Sequence, residues 1–440
     1  MSARVLHTSD WHLGRQIGRH RRDREFDAVL GEIVSVAQDF APDLIVHSGD
    51  LFDSPRPSLD DMRRAAQTLR ELGDIAPVVV VAGNHDTRHV LAFLDYMLSD
   101  LGARTGDRAR VRFATDARPG GLLLAEYPAE TGELTVRVGA LPYLHPNRFA
   151  YEFDDPASAT ASYAERMREV QAEVYRRLAA SRGPRDLLVY AAHLFVEGAT
   201  PSYSERTISV SSAYAVEAVA LPEVDYGALG HIHKPQLVPR AGYPAHYAGS
   251  PLQMDFGETR DAKSIALVEI TPGRPPRVEL APLDSGRPLR RLTGTLDQIA
   301  QRAAGVGDAW VKAVVDSESP MALLGERLEE LLPQATIVDV EERCPGAVTA
   351  VLDRVAVDTD LPDVHDMLHD YLSKHGTHGI ALDQAMSTFA GMRAEPDPAD
   401  TTPCCEEELL DAAIAGKGFD GIDRTGLLTD GTVTGTEARR

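Results

Sequence analysis

Apolar positions along this chain follow two rhythms. Short apolar runs at Ile45–Val46, Val78–Val81, Leu187–Ala192 and Tyr226–Leu229 read as strands, and the continuous run Val78–Val81 predicts one in a sheet covered on both faces, since a one-sided strand would alternate apolar with polar positions. Between them the spacing turns helical. Phe26, Val29, Leu30, Ile33, Ala37 and Phe40 share a face that Pro42 closes, and Met62, Ala65, Ala66, Leu69 and Leu72 mark a second helix. A third is expected near Val90–Leu101, and a long one carries Tyr163, Met167, Val170, Val174 and Leu178. From Val111 to Tyr143, short alternating stretches broken at Pro119-Gly120-Gly121 and Thr131-Gly132 predict a mostly antiparallel second sheet. Gly198–Ser212 reads as a polar loop and Ser264–Ile270 as a final strand. Two sheets packed face to face with helices outside fit this order.

Pro272–Pro288, rich in Pro, Gly and Arg, marks a boundary. Beyond it, Leu289–Gly294, Leu296–Ala304, Ala309–Val315, Met321–Leu332 and Ala335–Glu341 read as a small β-α-β-α-β module. Two short amphipathic helices follow, the first with Val364, Met367, Leu368, Tyr371 and Leu372, the second with Leu382, Ala385, Met386, Phe389 and Met392. Their apolar faces need a partner surface. After Pro396 little periodicity is left, which predicts a mobile tail.

The candidate chemistry sits at the strand ends. The run Ile45–Asp53, IVHSGDLFD, delivers Asp50 and Asp53; Val5–Asp10 leads to Asp10-Trp11-His12; Val78–Val81 to Gly83-Asn84-His85-Asp86; Leu187–Ala192 to His193; Tyr226–Leu229 to Gly230-His231-Ile232-His233. In Asp10-x-His12 and His231-x-His233, residues two apart on an extended chain face the same side. Two divalent cations held roughly 3.5–4 Å apart need an anionic bridge. Asp50 is the candidate bridge, with Asp10, His12 and His233 completing one metal and Asn84, His193 and His231 the other. Imidazole, carboxylate and amide ligands suit manganese, iron or zinc better than calcium. Such a site supports phosphoester hydrolysis, with His85 as proton donor to the leaving group and Asp86 orienting its imidazole. His7, His47, His145 and His246 lie near these motifs and read as structural.

Composition narrows the setting. The 440 residues exceed one compact core, so two domains plus an appendage are expected. No apolar run is long enough to span a membrane and no apolar signal region precedes the first strand, which predicts a cytoplasmic protein without membrane contact. Cys344, Cys404 and Cys405 form no CxxC and no disulfide framework. A net charge of −22 argues against a general nucleic-acid coat. The charge is uneven, however: Arg15, Arg19, Arg21, Arg22 and Arg24 follow the first ligand motif, where a polyanionic substrate would lie, whereas the tail is acidic.

The motifs DWH, GDLFD, GNHD, AAH and GHIH resemble those of the calcineurin-like metallophosphoesterases. The longer phrases HTSDWHLGR, GDLFDSPRP, YGALGHIHKPQ and YAGSPLQMDFGE are similar to the SbcD nucleases within that superfamily. The resemblance implies an α/β fold, a four-layer metallophosphoesterase β-sandwich flanked by helices, with a small α/β capping domain and a C-terminal helical appendage. The corresponding spans would be a nuclease domain over 1–283, a cap over 288–345, a partner-binding appendage over 360–395 and an acidic mobile tail over 396–440. It also implies metal ligation by Asp10, His12, Asp50, Asn84, His193, His231 and His233, a catalytic His85, and two divalent ions, manganese foremost. The implied activities are 3′-to-5′ exonuclease action on double-stranded ends and endonucleolytic opening of hairpins, in DNA repair, recombination and replication near the nucleoid. An SbcC-type coiled-coil ATPase would bind the appendage, with two copies of the chain in a heterotetramer. Some relatives outside bacteria carry a histidine where this chain has Asp53, so that role is not transferred. A small-molecule phosphodiesterase or protein phosphatase of the same fold is the alternative enzyme, though the latter resemble GNHE rather than GNHD; a non-catalytic DNA-end scaffold is the alternative outside enzymes.

Overall fold

In the computed structural model, the described residues are 2–100, 110–115, 123–129, 132–145, 156–180, 182–202, 204–205 and 215–344, with isolated positions between 368 and 389. The chain divides into two units, Met1–Thr349 and Ala350–Arg440. The expected tail and most of the appendage lie outside the described residues; positions such as Tyr371–Ser373 and Ala385–Ser387 are helical.

Among the described residues, the first unit is built on two six-stranded sheets. One has the order β12-β11-β1-β2-β3-β4, where β1 is Ala3–Thr8, β2 Leu44–His47, β3 Val78–Val81, β4 Val111–Ala114, β11 Ser264–Ile270 and β12 Arg277–Pro282. The other runs β5-β6-β7-β8-β10-β9, where β5 is Leu123–Pro128, β6 Thr135–Leu141, β7 Asp186–His193, β8 Tyr226–Gly230, β9 Gln236–Leu237 and β10 Ala245–Tyr247. Their facing surfaces meet in one core that includes Val5, Val46, Val79, Val189 and Ala228. Helices α1 (Asp23–Phe40) and α2 (Leu59–Ile75) bury Phe26, Ile33, Leu69 and Leu72 on the outer face of the first sheet. The short α3 (Arg88–Asp95) adds Leu91 and Leu94 to the same cluster. The helix α4 (Pro156–Ala179) buries Met167, Val174 and Leu178 on the outer face of the second. Strands covered on both faces explain the unbroken apolar runs.

Two expectations change. Val111–Ala114 joins the first sheet, parallel to β3, instead of opening the second. The second sheet is antiparallel only at its ends, because β6, β7, β8 and β10 pair in parallel. The long helix α4 connects β6 to β7 and permits that parallel crossover, a link that alternation alone does not reveal. β12, hidden in the Pro- and Gly-rich boundary, is an edge strand paired antiparallel with β11; its exposed Arg277 and Glu279 erase the apolar signal.

A third, parallel sheet carries β13 (Leu289–Gly294), β14 (Trp310–Asp316) and β15 (Thr336–Arg343), with α5 (Leu296–Arg302) and α6 (Leu324–Leu331) as crossovers around Val311, Ala313 and Leu328. It is joined to α1 by a buried polar knot. The carboxylate of Glu25 accepts from the indole nitrogen of Trp310 at 2.9 Å, from the amide of Arg287 at 3.0 Å, and from both ends of the Arg22 guanidinium.

Candidate metal centre

Parallel pairing brings the C-terminal ends of β1, β2 and β3 to one edge of the first sheet and those of β7 and β8 to one edge of the second. Ligands in open α/β sheets collect at such edges. The loops after β1 and β2 are stitched together, with the amide of Asp10 on the carbonyl of Gly49 (2.9 Å) and that of His12 on the carbonyl of Asp50 (3.0 Å). Backbone strain concentrates here. Asp10, His12, Asp50 and His231 all hold positive φ, at 51°, 46°, 53° and 103°. Non-glycine residues adopt that region at a cost, and it persists where surrounding structure enforces it. Gly49, at φ 117°, lets the second sheet approach: a Cβ there would overlap the His193 ring.

All seven predicted ligands converge. The Nε2 atoms of His12 and His233 face each other at 3.0 Å. On the other side, Oδ1 of Asn84 lies 3.0 Å from Nε2 of His193 and 2.9 Å from Nδ1 of His231, and those two nitrogens are 3.2 Å apart. Between the groups sits Oδ2 of Asp50, 3.5 Å from Nε2 of His12 and 3.4 Å from Nε2 of His193. Asp10 is less one-sided than expected. Its donor atom falls within 4.8 Å of those of His12 and His233, and equally of those of Asp50 and His193.

This donor set fits two cations. Two imidazole nitrogens facing at 3.0 Å cannot both present lone pairs to each other, and a cation between them satisfies both. Burial opposes a charged His193, yet Asp50 and then Asp10 raise it to about 9. Burial likewise opposes a charged Asp50, but His193 and His12 hold it well below the usual carboxylate range. Burial pushes Asp10 up. Nδ1 of His193 is held on the carbonyl of Ser48 at 2.9 Å, whereas Nδ1 of His12 makes no hydrogen bond and has the Asp53 carboxylate 3.4 Å away. Such outer contacts fix ring orientation.

His85 stands beside Asp50, its backbone amide donating to Oδ1 at 2.8 Å. Its Nδ1 is 2.7 Å from the carbonyl of Asp53, which assigns the proton to Nδ1 in the neutral ring and aims Nε2 toward the centre. The carboxylate of Asp86, expected to orient His85, instead accepts from the amides of Gly83 (2.9 Å), Phe52 (3.1 Å) and Leu51 (3.2 Å). It braces the loop holding Asn84, and the Asp53 carbonyl takes the orienting place. Burial, then the charge of Asp50, raises Asp86 to about 6.

The arginine cluster divides. Arg22, 2% exposed, is spent on Glu25 and on the carbonyl of Gln253 at 2.6 Å, so it is a structural tie and not a surface contact for polyanions. Arg21 pairs with Asp23 at 2.7 Å, and Arg15 lies 3.4 Å from Asp53. Arg19 and Arg24 are exposed. Sequence reasoning also missed Ser48, Ser204 and Glu258 as neighbours of the ligands; Glu258 stood inside the phrase YAGSPLQMDFGE without an assigned role. Of the histidines read as structural, His7 bonds Tyr226 (3.0 Å) and Ser48 (2.8 Å) beneath the site.

Residues 3–235 match the family described as calcineurin-like phosphoesterase. The D subunit of nuclease SbcCD from Bacillus subtilis (strain 168) is 35% identical over 295 residues, covering 65% of this chain and 71% of its own. The protein of the same description from Escherichia coli (strain K12) is 29% identical over 314 residues, covering 67% of this chain and 72% of its own. Among solved structures, a dimetal phosphatase from Danio rerio covers 63% of this chain and 98% of its own at 12% identity, with a TM-score of 0.36.

Proposed function

The chain belongs to the calcineurin-like phosphoesterases, in the SbcD family of nucleases, and on that premise we propose that it cuts DNA at double-stranded ends and hairpins. It is a metal-dependent phosphodiester hydrolase. The observation that carries the reading is the position of Asp50 Oδ2, within 3.5 Å of imidazoles from both ligand groups. When bound, the two cations supply Lewis-acid polarisation of the phosphate and a water acidic enough to react near neutral pH. Of the candidate metals, manganese is the ion we assign. His12, His233 and Asp10 hold one position, and Asn84, His193 and His231 hold the other. In its doubly protonated, cationic form His85 offers Nε2–H to the leaving oxygen while its Nδ1–H stays on the Asp53 carbonyl, and returns to the neutral Nδ1–H ring when that proton leaves. Exposed Arg19 and Arg24 meet the phosphate backbone, and the β13–β15 module, tied to α1 through Glu25, caps the DNA. The segment over 360–395 is assigned to docking an SbcC-type ATPase, with two copies of the chain in the assembly.

The test is a manganese-titrated assay on blunt duplex and hairpin DNA, with and without that ATPase from the same organism. Cleavage that begins at 3′ ends and opens hairpins, and that chelation abolishes, is the expected result. Hydrolysis of small phosphodiesters with both DNA substrates left intact would contradict it. Deleting 363–392 should abolish co-elution with the ATPase on a sizing column and leave basal cleavage unchanged; retained complex formation would refute the docking assignment.

A further inference from the structure

Three groups outside the ligand set converge on the far side of His233. Its Nε2 faces His12, whereas its Nδ1 lies 2.6 Å from the hydroxyl of Ser204. That hydroxyl donates in turn to Oε1 of Glu258, which itself lies 3.3 Å from Nδ1. Glu258 is fully buried, and its second oxygen accepts from Nζ of Lys263 (2.6 Å) and from the amide of Met254 (3.0 Å). Lys263 is itself fixed, donating to the carbonyl of His233 (3.1 Å) and to the hydroxyl of Ser250 (2.9 Å). The amide of His233 is held by Oε1 of Glu205 at 2.9 Å. Ring and backbone of this one ligand are thus pinned from the polar loop before β8 and from the segment before β11.

A buried carboxylate with a buried lysine is costly to assemble and often no more stable than an apolar pair. Its retention against a ligand points to a use at that ligand. A serine between an imidazole and a carboxylate accepts a hydrogen bond from Nδ1–H and donates its own O–H to the carboxylate, which fixes the tautomer and leaves the Nε2 lone pair for the metal. We propose that Ser204 and Glu258 are positioning residues, a relay that sets the tautomer and ring orientation of His233 and thereby the affinity of the metal position shared by Asp10, His12 and His233. The relay rests on the two-metal reading above. It predicts an asymmetry, since the outer nitrogen of His193 on the other side is held by a backbone carbonyl.

The experiment titrates Mn2+ into metal-free full-length wild type, Ser204→Ala, Ser204→Thr, Glu258→Gln and the double variant Ser204→Ala/Glu258→Gln, following free Mn2+ by electron paramagnetic resonance and checking fold by thermal melting. Ser204→Ala should weaken one of two sites roughly 10–100-fold and leave the other unchanged. Ser204→Thr, which keeps the hydroxyl, should bind as wild type. The double variant should lose more than either single variant, because Oε1 of Glu258 also lies 3.3 Å from Nδ1 and holds the ring beside the serine. Added Mn2+ should restore turnover of a small phosphodiester by Ser204→Ala. Two unchanged sites in a folded Ser204→Ala protein overturn the relay and leave the two-metal reading intact. Wild type that binds no Mn2+ overturns both. Glu258→Gln faces Lys263 and can fail to fold; the two Ser204 variants decide the matter without it.

Discussion

Replacing His85 by Gln separates proton donation from every other role of the centre. The imidazole is anchored at Nδ1 by the Asp53 carbonyl (2.7 Å) and its backbone amide by Asp50 (2.8 Å), so a side chain of similar length leaves the loop in place. What disappears is the proton at Nε2. A positioned general acid contributes about 10²–10⁴-fold, or about 2.7–5.5 kcal/mol of barrier. That loss should fall on DNA, whose leaving alkoxide is strongly basic. It should be under about tenfold on bis(p-nitrophenyl) phosphate, whose phenolate leaves without a proton. His85 also falls within 4.8 Å of the donor atoms of His12 and Asp50, which makes metal ligation the competing role. Counting bound Mn2+ discriminates: an unchanged count with the split substrate response supports proton donation. Equal losses on both substrates with a reduced metal count would refute the assignment.

The cap tie predicts a stability effect. Trp310→Phe removes the 2.9 Å bond to the Glu25 carboxylate and should cost about 1.5–3 kcal/mol in chemical denaturation, an unchanged midpoint being the contrary result. Arg22→Ala strands the same carboxylate and should cost about 3–5 kcal/mol, whereas Arg19→Ala should leave stability alone and flatten the salt dependence of DNA binding by about one unit of slope. Loss of DNA affinity without loss of stability in Arg22→Ala would restore it to the surface. Burial, with His246 and His47 adding to it, lowers His7 from 6.5 to about 3. The folded state therefore refuses a proton that the unfolded chain takes up below about pH 6.5, so stability present above that pH drains as pH falls toward 3. His7→Gln should reduce the slope of stability between pH 6 and 4 by about 1.4 kcal/mol per pH unit; an identical slope in the variant argues against a neutral buried His7.

The convergence of the residues proposed as ligands was legible because each directly follows a predicted strand. Alternation is not what turns the paired motifs inward, since Asp10, His12 and His231 hold positive φ in the loops past the strands, and Gly49 and Gly83 mark the close approaches. The partner of His85 was not legible, since a backbone carbonyl such as that of Asp53 has no sequence signature, and adjacent Asp86 was the natural but mistaken choice. Arg22 reads as one of five arginines in a basic loop until Glu25 is seen to hold Trp310, 285 positions away. Ser204 lies 29 positions from His233, in a loop with no periodicity. Parallel pairing in the second sheet was hidden because strand alternation encodes burial and not direction.

Asp50 would join the two halves of the proposed dinuclear centre. Electron paramagnetic resonance of the Mn2+-loaded full-length protein tests it most directly. Two ions per chain with the broadened signal of a spin-coupled pair, reduced to isolated ions in Asp50→Asn, is the predicted result. A single ion per chain, or two that give only the six-line signal of isolated Mn2+ in wild type, would contradict it.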